Sequence, residues 1–365
     1  MKILHICKNS LPDIFGGVEV AVAEMCRIMT ELGHEVEVVS TTISNSREGY
    51  ISGCPVKFFH SQLTVSSTPI SFGLIKYVYK VAHEFDLIFL HYPFPTADLA
   101  LLNLGQTRKL IIIYHADIIR KNEFLRSIYW PLRELTFAKA KIIITTSDEY
   151  RKSSLQIQRH SHKCQTITLA IDDPANKTQD QPLCNFDFEK PYFLFVGRMR
   201  KYKSLMLLAQ AARDLPCELV LVGTGHQEAE LKEYIKVHGI NNLHCIGEIP
   251  EEQKRYCYQH ALGVVLPSSD RSEALGLTLI EGLAFGKPLI CCRLNTGTTF
   301  VNIDNETGIV IPPHNANALR KAMLTILGNP TLADQMGQNS RKRYDKFFSL
   351  ETMKCKYRQL LAKSI

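Results

Sequence analysis

The feature that most restricts the fold is a series of short apolar runs, rich in β-branched residues, that alternates with amphipathic stretches. Runs that are apolar on both faces and separated by helical patterns are typical of a parallel sheet covered by helices on both sides. The first helix is predicted to follow Gly16 and Gly17 and to stop at Gly33. In the first half of the chain the runs lie at 2–7, 35–40, 86–92, 109–115, 141–147 and 165–170.

The same alternation resumes after a polar interruption. Residues 173–190 are rich in Pro, Asn and Asp and lack both periodicities, which predicts a linker. Because 365 residues exceed the usual size of one core, we predict α/β domains over 1–172 and 191–345, followed by a helical segment at 346–365. Ligands of such sheets bind beyond the carboxyl ends of strands, which predicts a site in a cleft between the domains. The second series of runs lies at 191–197, 217–223, 242–247, 262–267 and 289–292.

Charge and composition narrow the class of partner. The net charge of +7 favours a phosphate-bearing ligand or an anionic surface, but it is too small an excess to indicate a nucleic-acid partner. No apolar run is long enough to span a membrane and the N-terminal run is too short for a signal peptide, so we expect a cytoplasmic protein. The eleven cysteines include no C-x-x-C pair, which favours free thiols. His160 and His162 lack nearby carboxylates, and we predict no metal site.

Two carboxylates lie eight positions apart in "RSEALGLTLIEGLAFGKP". Glu273 follows the run at 262–267, Gly276 lets the chain turn into a helix, and Glu281 lies about one turn into that helix. Carboxylates there can accept hydrogen bonds from a polyol, while the amides at the helix N-terminus suit a phosphate. A sugar that carries a phosphate would satisfy both. The alternative is that the two carboxylates only complement the helix dipole.

Cations and glycines lie at the ends of other predicted strands. After Gly197 come Arg198, Arg200, Lys201 and Lys203, which are placed to neutralise a diphosphate or, alternatively, form an ordinary solvated turn. The Gly16-Gly17 pair would let the backbone approach an anion at a helix N-terminus. Two histidines follow the same pattern, since His115 ends the run at 109–115 and His91 ends the neighbouring one. Each could bond a substrate hydroxyl, or be structural.

Together these motifs resemble the retaining glycosyltransferases of family 4, whose GT-B architecture has two Rossmann-like domains facing across a cleft. The E-x7-E motif of that family stands at Glu273 and Glu281, and its "GR…K" element at Gly197, Arg198 and Lys203. The glycine loop stands at 16–17 and the first-domain histidine at 115, so the resemblance covers nearly the whole chain. It implies that the C-terminal helix crosses back to the first domain.

The resemblance also implies roles for these residues. Arg198 and Lys203 would hold the diphosphate of a nucleotide-sugar donor, Glu281 its ribose and Glu273 its sugar. His115 would contact the donor sugar near its C6 hydroxyl and the reacting centre. No metal or other cofactor is implied. Position 204 is a departure, because Ser204 stands where the family commonly has glycine. The remaining donor contacts implied by the resemblance are Gly16, Gly17, Gly197 and the backbone amides of Gly276, Leu277 and Thr278.

The acceptor is less constrained by the sequence. Residues 118–141 mix basic with apolar side chains, which suits either an anionic membrane surface or a helix packed on the sheet with a solvated basic face. The segments "YHADI" and "NTGTTFVN" resemble bacterial O-antigen and exopolysaccharide mannosyltransferases. That resemblance implies a retaining hexosyltransferase that moves mannose from GDP-mannose to a polyprenyl diphosphate-linked oligosaccharide at the inner face of the cytoplasmic membrane. Two alternatives stay open, a UDP-sugar transferase with a soluble acceptor and a non-catalytic nucleotide-sugar-binding protein.

Overall fold

A computed structural model describes residues 1–14, 16–65, 68–105, 109–118, 123–176 and 190–363, with the side chains of 123–126 left aside. The chain forms two compact units. Unit 1 comprises Met1–Leu169 and Met353–Ile365, and unit 2 comprises Ala170–Thr352. Most of the predicted linker, residues 177–189, lies outside the described residues.

Unit 1 is built around one large sheet. Its strands are β1 (Lys2–Ile6), β2 (Glu35–Thr42), β3 (Arg47–Ile51), β4 (Cys54–His60), β5 (Leu63–Val65), β6 (Thr68–Ile70), β7 (Leu87–Tyr92), β8 (Leu110–Tyr114), β9 (Ile142–Thr145) and β10 (Cys164–Thr166). Its helices are α1 (Gly17–Glu31), α2 (Phe72–Val81), α3 (Pro95–Ala100), α4 (Glu123–Lys139) and α5 (Asp148–Ser153).

The large sheet has the order β10-β9-β8-β7-β1-β2-β4-β3. Every neighbouring pair is parallel except β3 with β4, which confirms the parallel sheet predicted for unit 1. The sequence pattern missed β3 and β4 because neither strand is apolar on both faces: β4 alternates buried with more exposed residues, and β3, at the sheet edge, is mostly exposed. It also missed the short antiparallel pair β5 and β6. In the middle of the sheet, β7 and β8 are buried along their whole length.

Unit 2 contains a second parallel sheet. Its strands are β11 (Tyr192–Val196), β12 (Glu218–Val222), β13 (Leu243–Gly247), β14 (Gly263–Leu266), β15 (Leu289–Cys292) and β16 (Gly308–Ile311). Its helices are α6 (Leu205–Ala212), α7 (Glu228–Val237), α8 (Glu251–His260), α9 (Leu277–Ala284), α10 (Thr298–Val301), α11 (Ala316–Leu327) and α12 (Pro330–Phe347). The last helix of the chain is α13 (Leu350–Ala362).

The strand order of unit 2 is β13-β12-β11-β14-β15-β16, with all neighbours parallel. This is the order of a dinucleotide-binding Rossmann sheet, and the order reverses between β11 and β14. Ligands of open parallel sheets bind at that reversal, beyond the carboxyl ends of the strands. The loops that follow β11 and β14 are therefore where a ligand site is expected.

The backbones of the loops that follow β11 and β12 pack directly against each other. The amide of Met199 donates to the carbonyl of Thr224 at 2.8 Å. Gly223 and Gly225 have φ values of 120° and 159°. A Cβ atom at Gly223 would overlap the Gly197 carbonyl oxygen, and one at Gly225 would lie 2.5 Å from the Met199 carbonyl oxygen. Only glycine therefore lets the two loops pack this closely.

Three helices end the chain. Residues 353 onward of α13 belong to unit 1, where the hydroxyl of Tyr357 donates to the Met25 sulfur at 3.0 Å. Lys354 pairs with Glu31 of α1 at 2.6 Å. In unit 2, Arg341 of α12 donates to the carboxylate of Asp173 at 2.6 Å. Among the described residues no helix is both long and apolar enough to cross a bilayer.

Candidate active site

The loops that follow β11 and β14 are tied together at the point where the strand order reverses. The amide of Ser269 donates to the Tyr202 carbonyl at 2.9 Å, and the hydroxyls of Ser204 and Ser269 lie 2.5 Å apart. At the start of α9 the Thr278 hydroxyl donates to the carbonyl of Val196, the last residue of β11, at 2.7 Å. The two loops and the N-terminus of α9 therefore form one connected wall.

Lys203 and Glu273 meet inside this wall. The Lys203 ammonium donates to Glu273 Oε2 at 2.5 Å, and the Ser268 hydroxyl donates to the same oxygen at 2.7 Å. The two residues are only 8% and 7% exposed. Burial lowers the pKa of Lys203, but the Glu273 carboxylate raises it, and the result lies above the usual range. A buried, charged and additionally hydrogen-bonded pair results.

Arg198 differs from Lys203 in its environment. It lies directly after β11, and its side chain is exposed. Within the described part of the chain its guanidinium makes no hydrogen bond or ion pair. Its donors therefore stay available to an anion at the carboxyl end of β11, whereas one donor of Lys203 is committed to Glu273.

The N-terminus of α9 presents amides beside this pair. Gly276 caps the helix with a φ of 83°, and a Cβ there would lie 2.8 Å from Leu266 Cδ2, so the position requires glycine. The first intrahelical bond is donated by the amide of Leu279 to the Gly276 carbonyl at 2.9 Å. The amides of Leu277 and Thr278 precede it, which is the usual arrangement at a helix end that can bind an anion.

Glu281 is held by helix α8, which the sequence analysis did not connect with it. Lys254 donates to its Oε1 at 3.1 Å and the Tyr258 hydroxyl donates to its Oε2 at 2.5 Å. Burial lowers the pKa of Lys254, but Glu281 and Glu251 raise it above its usual range. These contacts orient the carboxylate, and each of its oxygens keeps a lone pair for a further donor.

In unit 1 three histidines lie on three neighbouring strands. His115 directly follows β8, His91 lies in β7 and His5 in β1. His115 Nε2 lies 3.0 Å from His91 Nδ1, and His91 Nε2 lies 2.9 Å from His5 Nδ1. All three are at most 5% exposed. Burial lowers the pKa of His115 to about 4 and that of His5 to about 3, and it lowers that of His91 as well.

The glycine loop of unit 1 carries a carboxylate of its own. Gly16 caps α1 and Gly17 is the first residue of the helix. The side chain of Glu19 folds back so that its Oε2 occupies the space over Gly16.

Other residues considered as ligands have structural partners. His160 Nε2 lies 3.0 Å from Glu134 Oε2. Asn302, in the segment "NTGTTFVN", is fully buried, and its amide donates to the carbonyls of Leu289 and Ile309 at 3.3 Å each. Across the described ranges no three His, Cys, Asp or Glu side chains are grouped to hold a metal ion. The described cysteines are free.

Comparison with known proteins gives one consistent result. Residues 15–173 match the domain described as Glycosyltransferase Family 4, and residues 177–343 match Glycosyl transferases group 1. The chain is 32% identical over 362 residues to O-antigen chain mannosyltransferase C of Escherichia coli, covering 97% of this chain and 96% of that protein. It is 32% identical over 355 residues to D-rhamnosyltransferase WbpZ of Pseudomonas aeruginosa, covering 96% and 92%.

Solved structures agree with this result at the level of the fold. The chain is similar to Anabaena Alr3699/HepE in complex with UDP-glucose, with a TM-score of 0.79 over 100% of both chains and 18% identity. The predicted α/β class with two Rossmann-like sheets, the GT-B class, is confirmed.

The backbone conformation of Ser204 explains why glycine suits this position. Its φ of 54° lies in the left-handed region, which costs a non-glycine residue ~1–2 kcal/mol. The hydrogen bond to Ser269 offsets part of that cost. We expect Ser204→Ala to lower the free energy of unfolding by about 1 kcal/mol, because the bond is lost and the strain stays. Ser204→Gly loses the bond but also the strain, so it should be about 1 kcal/mol more stable than Ser204→Ala.

Urea unfolding of the three proteins, followed by circular dichroism, measures this difference. Equal stability of the alanine and glycine variants would contradict a strained backbone at position 204.

Proposed function

The chain belongs to the glycosyltransferases of family 4 and group 1, and we propose that it is a retaining hexosyltransferase that builds O-antigen. In this proposal it moves mannose from GDP-mannose to a lipid-linked oligosaccharide at the inner membrane face. The observation that best supports a donor site is that Lys203 and Glu273 pair beside the N-terminus of α9, where the strand order of unit 2 reverses. Cations, a carboxylate and backbone donors there match phosphate and sugar hydroxyls together.

The diphosphate of the donor is assigned to two cations, the exposed Arg198 and the buried Lys203. Arg198 offers an unpaired fork, and Lys203 retains two donors beyond the one that Glu273 accepts. The amides of Leu277 and Thr278, with the positive end of the α9 dipole, add donors that need no reorganisation. When the bond from the sugar to the diphosphate breaks, charge develops on the leaving oxygen, and these groups stabilise it. No divalent ion is required in this scheme.

The carboxylates are assigned to hydroxyl groups. Glu273 has Oε2 bonded to Lys203 and Ser268, so its Oε1 is the oxygen for a sugar hydroxyl. Glu281, oriented by Lys254 and Tyr258, accepts from the ribose. His115 is assigned to the hydroxyl near C6 of the sugar. Retention of the anomeric configuration requires the acceptor hydroxyl to arrive on the face that the diphosphate leaves.

Two relatives of equal identity suggest which sugars to compare. One is a mannosyltransferase and the other a D-rhamnosyltransferase, each 32% identical to this chain. D-Rhamnose is mannose without the C6 hydroxyl, so both names support a donor of manno configuration. Transfer of D-rhamnose is therefore the second candidate function.

A lipid-linked acceptor is supported by the outward face of α4. Four residues recur at helical spacing on that face and are exposed: Ile128, Pro131, Leu135 and Ala138. The basic side chains do not share it, since Arg133 is buried against Glu134 at 2.7 Å and Lys139 donates to the carbonyl of Leu101 at 3.2 Å. A solvated basic face therefore does not fit the described part of α4. An apolar stripe on a helix surface suits the interface of a bilayer.

A panel of donors tests the function. We expect GDP-mannose and GDP to raise the melting temperature in the presence of a chelator, because a ligand that binds only the folded state stabilises it. UDP, UDP-glucose and ADP should give smaller shifts. GDP-D-rhamnose in the same panel separates the two candidate sugars. If no nucleotide shifts the melting temperature, the donor site proposed here is wrong, and a shift that chelator abolishes would contradict the metal-free scheme.

Arg198→Ala should weaken binding of GDP about ten- to a hundredfold, because a charge-assisted contact to phosphate is worth roughly 1.5–3 kcal/mol. Calorimetric titration measures the change. Lys203→Ala should weaken binding as well, but it leaves Glu273 buried without its partner, so its melting temperature has to be measured beside it. Lys232→Ala removes a surface cation on α7 and serves as the matched control. Unchanged affinity in both Arg198→Ala and Lys203→Ala would refute the placement of the diphosphate.

Exposed residues of α4 give a separate test of the membrane proposal. The double variant Ile128→Ser, Leu135→Ser should bind vesicles that contain anionic phospholipid more weakly than the parent protein, since two apolar side chains, 61% and 52% exposed, lose their contact with the bilayer. Cosedimentation measures binding. Leu155→Ser, at another exposed apolar side chain of unit 1, is the control. If the double variant and Leu155→Ser bound vesicles equally well, the α4 stripe would be excluded as the membrane contact.

A further inference from the structure

The three histidines of unit 1 form a continuous hydrogen-bonded row. It runs from His115 through His91 to His5 with N···N distances of 3.0 and 2.9 Å. At its inner end, His5 Nε2 lies 3.2 Å from the sulfur of Met29 in α1. The rings are stacked, with centroids 5.3 Å apart for His91 and His115 and 5.2 Å apart for His5 and His91.

The methionine at the inner end fixes the direction of the row. A thioether sulfur has no hydrogen and can only accept, so His5 Nε2 carries the proton of that contact. A neutral His5 then has an unprotonated Nδ1, which accepts from His91 Nε2. His91 Nδ1 is unprotonated in turn and accepts from His115 Nε2.

If all three rings are neutral, the number of ring protons equals the number of hydrogen-bonded contacts. Each ring has one proton and each of the three contacts uses one, so no other assignment fits the five nitrogens and one sulfur in contact. A cationic ring would place a charge on a residue that is at most 5% exposed, and no carboxylate of the described residues bonds to any of the three rings. Burial lowers the pKa of all three rings, which agrees with the neutral forms at pH 7.

We propose that His5 and His91 are positioning residues that hold His115 in the tautomer with the proton on Nε2. Nδ1 of His115 is then a permanent acceptor, suited to a hydroxyl of the substrate and unable to donate to it. The catalytic consequence rests on the proposed contact of His115 with substrate, whereas the tautomer itself does not.

A fixed tautomer matters because a histidine at the end of a strand otherwise exchanges between two forms. The form with the proton on Nδ1 would point a donor at the hydroxyl instead of an acceptor. The row makes that form costly, since His115 Nε2 and His91 Nδ1 would then be two unprotonated nitrogens 3.0 Å apart. Reversing every ring would leave His5 Nε2 without a proton against the Met29 sulfur.

The tautomer is measured directly by nitrogen NMR on the full chain labelled with ¹⁵N-histidine, without substrate. Protonated and unprotonated ring nitrogens have widely separated shifts, and the His115 signals are identified by their loss in His115→Gln. We expect His115 at pH 7 to show a protonated Nε2 and an unprotonated Nδ1. A proton on Nδ1, or on both nitrogens, would overturn the proposal.

Variants along the row separate positioning from general structure. His91→Phe keeps an aromatic ring between its neighbours but removes both nitrogens, so we expect averaged His115 nitrogen shifts and a lower kcat with little change in donor KM. His91→Gln keeps an acceptor and a donor and should recover part of both. Met29→Leu conserves volume and is expected to fold. It removes the sulfur that sets the direction, so the form protonated on Nδ1 should appear.

Unchanged His115 spectra in both His91→Phe and Met29→Leu would show that the row does not set the tautomer. The two proposals fail separately. Loss of donor binding in the nucleotide panel with the expected His115 spectrum would refute the glycosyl transfer but not the row, and the reverse pattern would refute only the row.

Discussion

Lys203 and Glu273 lie 70 residues apart in the sequence, yet their side chains meet at 2.5 Å where both are more than nine-tenths buried. Taking two charges out of water is costly, and the cost is offset only when the geometry is good and further hydrogen bonds are made. Ser268 supplies one such bond, and the contacts of Ser204 and Thr278 bring the same loops together. The donor site proposed for unit 2 depends on this pair, because it joins the loop after β11 to the loop after β14.

The parts of the site that the sequence predicts are those that follow strand ends. Arg198 and His115 closely follow the ends of buried strands, and Glu273 lies in the loop after another one. The carboxyl ends of parallel strands share one edge of their sheet. A motif read along the chain therefore gave their positions. The parallel sheets and most of their strands were predicted for the same reason, while β3, β4 and β16 were not.

The sequence does not show which side chains of different helices and strands contact each other. Lys254 and Tyr258 lie on a polar helix without a strand end nearby, so nothing marks them as the partners of Glu281. His5 and His91 become neighbours of His115 only because β1, β7 and β8 are adjacent in the sheet. Strand order and register decide such contacts, and they are properties of the fold and not of any segment.

The close packing of Gly197, Gly223 and Gly225 limits how a protein of this kind can change its substrate. These residues form a wall of peptide groups, and a side chain at Gly223 or Gly225 would collide with the backbone opposite. Single substitutions on that wall cannot adjust what the site accepts without moving the sheet ends. New preferences for a donor therefore have to arise on the other walls, in the loop after β14 and along α8. Libraries for altering the specificity of this enzyme belong at those positions.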